Sequence, residues 1–290
     1  MVTYRELAPS PRLRDYVRSY YLFTPAAAPW CGPRASIREA HFTTADSFCS
    51  PRFADGHTSV VVELGATCSL EGGWNFGTPV RGHVIGALRS VGAAAGSDRP
   101  KMIGVYLEPG ATAALLQVPA VELTDRVVSL DDVWGSQAAR LAEDLADLDG
   151  PACIDRFEAA LLQRLRCAPS RGSNVDAIGL ARWTRQEPAS MSVRQLADAT
   201  GVSRQHLTRV FREMIGVSPK RYCRLQRFHA GLAYAGAGTG VQWAEVAVEL
   251  GYADQSHMIA EFRELSGLTP EALATQRLFH PFILEAQSRL

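Results

Sequence analysis

One stretch of this sequence repeats another 51 residues downstream, and that repeat limits the possible folds more than any other feature. GVSRQHLTRVFREMIGVSP, starting at Gly201, superposes on GYADQSHMIAEFRELSGLTP, starting at Gly251, with one extra residue in the second turn. His206 then falls on His257, Phe211 on Phe262, and Arg212-Glu213 on Arg263-Glu264. Gly216 falls on Gly267 and Pro219 on Pro270; upstream of the extra residue, Ala197 falls on Ala247 and Gly201 on Gly251. Self-similarity of this kind means one supersecondary unit built twice.

Each unit has the signals of two short helices crossing at a tight turn. In the first, Ser192 can cap a helix running through Leu196-Ala197, and the small Ala197 lets a second helix cross closely. Gly201 supplies the positive φ of the turn, Val202 buries into the corner, and Ser203 caps the next helix. That helix points Leu207, Val210, Phe211 and Met214 inward and ends at Gly216. Arg204, Gln205, Thr208, Arg209 and Arg212 are left for its outer face. Ala247, Gly251, Tyr252 and the cap Asp254 play the same parts in the second unit, with Met258, Ile259 and Phe262 inward. Between the units, Ser218 caps and Pro219 opens a long helix reaching to about Ala235, with Tyr222, Leu225, Phe228 and Leu232 on its apolar face. A rigid connector fixes the separation of two helices that could enter successive major-groove segments about 34 Å apart.

The sequence changes character at about Val127. Before it, Thr58–Leu64 and Met102–Leu107 read as strands, and glycine-rich turns at 71–73 and 92–96 punctuate the rest. This is expected to be a β-rich domain, a sandwich or a barrel. From Leu130 the period becomes helical. Trp134, Ala138, Leu141, Leu145 and Leu148 form one apolar stripe, and Ile154, Phe157, Leu161, Leu162 and Leu165 form a second beyond Gly150-Pro151. The pair is expected to be an antiparallel hairpin. Two uses remain open for it: covering the β domain, or also forming a dimer interface. The predicted fold class is α+β. A β-rich domain would occupy residues 1–167, with its hairpin at 130–167. A linker at 168–174 follows, then an all-α DNA-binding domain of two such units at 175–276 and a tail at 277–290.

No run approaches the roughly 18 apolar residues a membrane helix needs, and the first residues show no secretory pattern, so a cytoplasmic protein is expected. Six scattered cysteines without a CxxC pair read as buried thiols rather than a disulfide framework or zinc site. Formal net charge is zero, but it divides unevenly. Residues 191–236 carry eight basic and two acidic side chains, whereas 237–276 carry one basic and six acidic.

These residues resemble the arabinose-regulator (AraC/XylS) family of bacterial transcription factors. The pattern A-xxx-G-xS-xxxLxRxF-xxxxG-xxP, the connector, and the second unit with LGYxDQSHxxxxFRxxxGxTP all match over roughly 175–273. The resemblance of the amino-terminal part to the family's regulatory domains is weaker. It implies a β-rich sensor and dimerisation domain ahead of the paired DNA-binding units. It also implies base contacts from Gln205, Thr208 and Arg209, with Arg204 and His206 nearby. Arginine can grip guanine in a bidentate way and glutamine can do so with adenine, so Arg209 is the first expected reader. Arg212, Lys220 and Arg221 are expected on phosphates. In the second unit Gln255, Ser256, His257 and Arg263 are the DNA-facing candidates, while Ala260 stands where family members often carry arginine. Phosphate neutralisation drives non-specific affinity, so the charge division predicts that the first unit dominates. The second would then add little or face another partner such as RNA polymerase. The expected partners are therefore promoter DNA, RNA polymerase, a second copy of the chain and a small-molecule effector, with no cofactor, metal or membrane.

The effector candidates are His57, Glu63, Trp74 and His83, although nothing in their spacing defines a chemistry, and His57 and Glu63 are not expected to share a strand face. Two rival classes fit less well. A metal-dependent barrel enzyme usually carries HxH, which is absent. An alkylation-repair protein needs an activated cysteine, and Cys31, Cys49 and Cys68 have no activating neighbours in sequence. No catalytic residue is assigned.

Overall fold

The run Ser59-Val60-Val61-Val62-Glu63 is short and β-branched, which suits a strand buried on both faces. It forms β5 (Ser59–Glu63), and all of its residues are buried. The computed structural model describes residues 2–25, 36–42, 51–52, 54–64, 81–89, 92–93, 101–168, 175–189, 191–236 and 240–275. Within these, β5 joins β1 (Val2–Leu7), β2 (Val17–Pro25), β3 (Ser36–Phe42), β6 (Gly82–Ile85), β8 (Met102–Leu107) and β9 (Val127–Ser129) in an antiparallel sheet. The strand order is β3-β1-β2-β8-β5-β6-β9. β4 (Pro51–Arg52) and β7 (Gly92–Ala93) pair separately.

Strand alternation divides the sheet into two buried faces. Tyr20, Leu22, Val60, Val62, Ile103 and Val105 turn to one core. Tyr4, Tyr21, Val61, Ile85 and Tyr106 turn to the other. On the second face Gly104 lets the Tyr21 ring lie directly over the backbone; a Cβ at residue 104 would sit 2.0 Å from that ring.

Five helices follow from the sheet: α1 (Thr112–Leu116), α2 (Ala120–Leu123), α3 (Leu130–Trp134), α4 (Ser136–Ala146) and α5 (Pro151–Cys167). The two apolar stripes of the hairpin cover the sheet. Trp134, Ala138, Leu141, Leu145, Ile154, Phe157 and Leu161 are buried in the first core of their own sheet, with Leu148, Leu162 and Leu165 packed at its edge. Each fully buried large side chain contributes roughly 1.5–3 kcal/mol there.

The carboxy-terminal half is helical: α6 (Ala177–Gln186), α7 (Val193–Thr200), α8 (Arg204–Met214), α9 (Pro219–Gly236), α10 (Trp243–Glu249), α11 (Gln255–Ser266) and α12 (Pro270–Thr275). The class is thus α+β, an antiparallel β-sheet followed by an all-helical region. Leu196, Leu207, Phe211, Tyr222, Phe228, Met258 and Phe262 share one core around α9, and Ala54 and Ala87 from the amino-terminal half enter it. The two halves are bonded as well as packed. The Ala54 amide donates to the Leu265 carbonyl (3.2 Å), and Arg182 pairs with Asp15 (3.0 Å). Residues 169–174 of the expected linker, the expected tail and the turn at 71–73 lie outside the described residues.

Candidate nucleic-acid interface

The first unit is assembled by local chemistry. Ser192 and Gln195 form a reciprocal capping box at the start of α7. Gly201 ends α7 with φ +66°, and the Ser203 hydroxyl accepts from the His206 amide to start α8. Leu207, Val210 and Phe211 then bury, so the opposite face of α8 is presented to solvent. Gln205, Thr208, Arg209 and Arg212 fall at i, i+3, i+4 and i+7 on that face. Arg204, Gln205, Arg209 and Arg212 are exposed, while His206 and Thr208 are half-buried. The Thr208 hydroxyl donates to the Arg204 carbonyl (2.8 Å), leaving mainly its methyl outward. Arg209 is loosely held: its side chain is 65% exposed, with Nη1 3.7 Å from Glu213. Such a guanidinium can be redirected at little cost.

The second unit repeats the geometry with different chemistry. Gly251 takes φ +73°, and Asp254 accepts from the His257 amide (2.8 Å) to open α11. Met258 and Phe262 bury, while Gln255, Ser256, His257, Ala260 and Arg263 are exposed. Offset by 51, the face equivalent to that of α8 is Ser256, Ile259, Ala260 and Arg263. It carries one long polar side chain instead of three. His257 also packs edge-on against the Tyr252 ring at 5.5 Å.

The connector changes the charge argument. Arg221, Arg224 and Arg227 of α9 point at α11. Arg224 Nε pairs with Glu261 at 2.6 Å, its Nη2 pairs with Glu264, and Arg227 lies 3.9 Å from Glu261. Arg221 pairs with Glu264 through Nη1 and donates to the Arg89 carbonyl through Nη2. Glu261 is only 3% exposed and also accepts from the Tyr252 hydroxyl (3.0 Å). The Glu264 carboxyl is held down to about 2 by hydrogen bonds from Arg224 and Arg221. Three cations of the first segment therefore face two anions of the second inside the molecule, which leaves a balance of one positive charge. Counting segments overstates the difference between the units, because the count cannot show which charges face each other. Arg221, expected on a phosphate, is 16% exposed and already engaged; Lys220 is exposed.

The effector candidates separate. Trp74 lies outside the described residues. His57 precedes β5 and sits at the junction with α9, where its Nε2 is 2.9 Å from Arg18 Nη1 and its ring stacks on His229 at 6.2 Å. Burial, then the neighbouring Arg18 charge, holds the His57 pKa well below the usual value. Glu63 and His83, by contrast, share the aromatic face of the sheet, because Val61 pairs with His83 and Glu63 is two residues further along the same strand. Glu63 is buried, its Oε1 has no hydrogen-bond partner among the described residues, and burial raises its pKa to about 7.

Other residues at the junction had no sequence signal. Glu108 pairs with Arg185 of α6 at 3.1 Å, and burial lowers the pKa of Arg18 to about 10. These contacts join positions far apart in the chain, and no local spacing marks them. Burial pushes the Cys153 and Cys223 thiols up to about 11, opposite to what a reactive thiolate needs; Cys31, Cys49 and Cys68 lie outside the described residues. Among the described residues no group of three metal-ligating side chains converges, and no helix is long and apolar enough to cross a membrane.

Residues 196–276 match a family model described as a helix-turn-helix domain, and residues 5–129 match one described as a domain of unknown function, DUF6597. No curated protein matches the chain by sequence. Among solved structures the chain is distantly similar to ToxT from Vibrio cholerae. Identity there is 10%, the match covers 80% of this chain and 95% of that one, and the TM-score is 0.43. The carboxy-terminal domain of AraT, a response regulator from Geobacillus stearothermophilus, matches at 19% identity over 35% and 88% of the two chains, with TM-score 0.31. The DNA-binding domain of AdpA, in complex with a target DNA, matches at 21% identity over 38% and 92%, with TM-score 0.30.

Proposed function

We propose that this chain, which carries an AraC-type helix-turn-helix domain over residues 196–276, is a transcription regulator that reads a specific DNA sequence chiefly through α8. The observation that carries this reading is the free face of α8. Gln205, Arg209 and Arg212 project from it side by side, on a helix anchored by a cap and a buried apolar stripe. Arg209 is the principal base reader, with Gln205 and Thr208 beside it and Arg204 and His206 at the helix start. Arg212 and Lys220 grip phosphates. α11 enters the next groove segment with Gln255, Ser256, His257 and Arg263, and reads less because Ala260 replaces the central long side chain. Mapping bound DNA across the source genome tests the reading. Enrichment at promoters that disappears for Arg209→Ala supports it, and a map no different from a mock control rejects it.

The amino-terminal half is the sensor in this reading. A buried carboxylate oxygen without a partner among the described residues, on a tyrosine-rich face, suits an effector that brings a hydrogen-bond donor or a positive charge to Glu63, with His83 nearby. A homodimer and contact with RNA polymerase complete the proposal. The first is checked by the mass in solution with and without DNA, the second by transcription reconstituted with purified polymerase.

A further inference from the structure

A cleft of about 620 Å³ lies where the amino-terminal half meets the end of α8 and the start of α9. Its walls come from both halves: Arg89 and Thr124-Asp125 on one side, Arg212, Ser218 and Arg221 on the other. The junction is built closely. The Thr124 hydroxyl donates to the Gly216 carbonyl (2.9 Å), and Gly216, at φ +96°, leaves no room for a Cβ, which would lie 2.6 Å from that hydroxyl.

Three guanidiniums converge on the cleft against one carboxylate in its wall. Asp125 is already committed to Arg89, accepting from its amide (2.7 Å) and pairing with its Nε (2.5 Å). Glu264 sits on Arg221, but the Arg221 Nε is buried with no hydrogen-bond partner among the described residues. No hydrogen bond or ion pair of the Arg212 guanidinium is found among the described residues, and its side chain is exposed. Ser218 caps α9, whose 18 residues add a positive helix terminus to the same cleft. A cleft with surplus positive charge, an unsatisfied buried N–H and a helix start matches the chemistry of a tetrahedral oxyanion. Its volume leaves room for the group that carries the anion.

We propose that this cleft seats a phosphate group bridging the two halves, with Arg89 of the amino-terminal half as one of its ligands. The phosphate can come from the DNA backbone passing the end of α8 or from a free phosphorylated molecule. The first source rests on the DNA-binding reading above and the second does not.

Two measurements on the full chain separate the sources. In the first, melting temperature is compared in inorganic phosphate and in chloride at matched pH and ionic strength. In the second, affinity for a mixed-sequence duplex is measured against salt. Seating a free phosphate raises the melting temperature of the native chain, and Arg89→Gln and Arg212→Gln each abolish the rise. Seating a backbone phosphate, with or without that rise, means that Arg89→Gln flattens the slope of log affinity on log salt by about 0.9. In that case Arg89→Lys restores the slope and Arg156→Gln, on the distant hairpin, leaves it unchanged. Arg89 is 62% exposed, so its replacement spares the fold. If neither the phosphate stabilisation nor the slope depends on Arg89, the proposal is wrong. If the native chain binds no duplex at all, the DNA reading fails and the melting measurement alone decides.

Discussion

Replacing Glu261 by leucine should loosen the two DNA-binding units from each other. Glu261 holds Arg224 Nε at 2.6 Å, accepts from Tyr252 and faces Arg227, all at 3% exposure. Removing one partner of a buried ion pair costs about 3–5 kcal/mol, because the other charge stays buried and unmatched. Here the low end applies. Arg224 is 23% exposed and keeps Glu264, so the expected loss is about 3 kcal/mol, including the orphaned Tyr252 hydroxyl. At a denaturant slope of about 2–3 kcal/mol/M, the urea midpoint should fall by about 1–1.5 M. The double variant Glu261→Leu with Arg224→Met should recover most of that loss, since an apolar pair of similar volume can replace a buried ion pair at little cost. A single-variant loss below about 1 kcal/mol, or a double variant no more stable than the single one, would refute the reasoning.

Three further outcomes follow from the same geometry. Glu264 is held near 2 in the folded chain against an ordinary 4.5, so its contribution is full above pH 4.5 and is lost as pH falls toward 2. Unfolding of the native chain and Glu264→Gln should differ at pH 7 and converge by pH 2–3, whereas an unchanging gap would count against the pairing. Glu63 shifts the opposite way, to about 7, so the folded chain binds its proton more tightly and stability declines as pH rises from 4.5 to 7. Glu63→Gln should therefore be the more stable protein at pH 8, by on the order of 3 kcal/mol, and lose that advantage at pH 4; equal stability at both pH values would contradict the burial of this carboxyl. Gly216→Ala should cost roughly 1–3 kcal/mol by thermal melting, since a Cβ meets Thr124 at a strained backbone position, and a neutral result would mean the junction is open in solution.

What the sequence revealed was local. Ser192, Gly201, Ser203 and Asp254 act within one helical turn of themselves, so the caps and turns of both units could be read from spacing alone. The run of valines in β5 announced a strand for the same reason. Charge was a different matter. Glu261 and Glu264 stand as surface acids in any count along the chain, yet they face Arg221, Arg224 and Arg227 some 40 positions away. That pairing depends on how α11 crosses α9, which no periodicity encodes. His57 and Arg89 were obscure on the same grounds, because each gains its meaning from contact with the other half of the chain. Glu63 and His83 became neighbours only once the pairing of β5 with β6 fixed their face. The apolar hairpin stripes specified burial but not the surface that provides it.

The central claim is that two linked helices read DNA and that α8 reads more of it. Selection of bound sequences from a randomised duplex pool, for the native chain, Arg209→Ala and Gln255→Ala, tests it most directly. The account predicts two enriched elements about one helical turn apart. The element read by α8 is the more sharply defined; it is lost with Arg209→Ala, and the weaker one is blurred with Gln255→Ala. An enriched sequence that Arg209→Ala leaves unchanged, or that Gln255→Ala erases as completely, would contradict it.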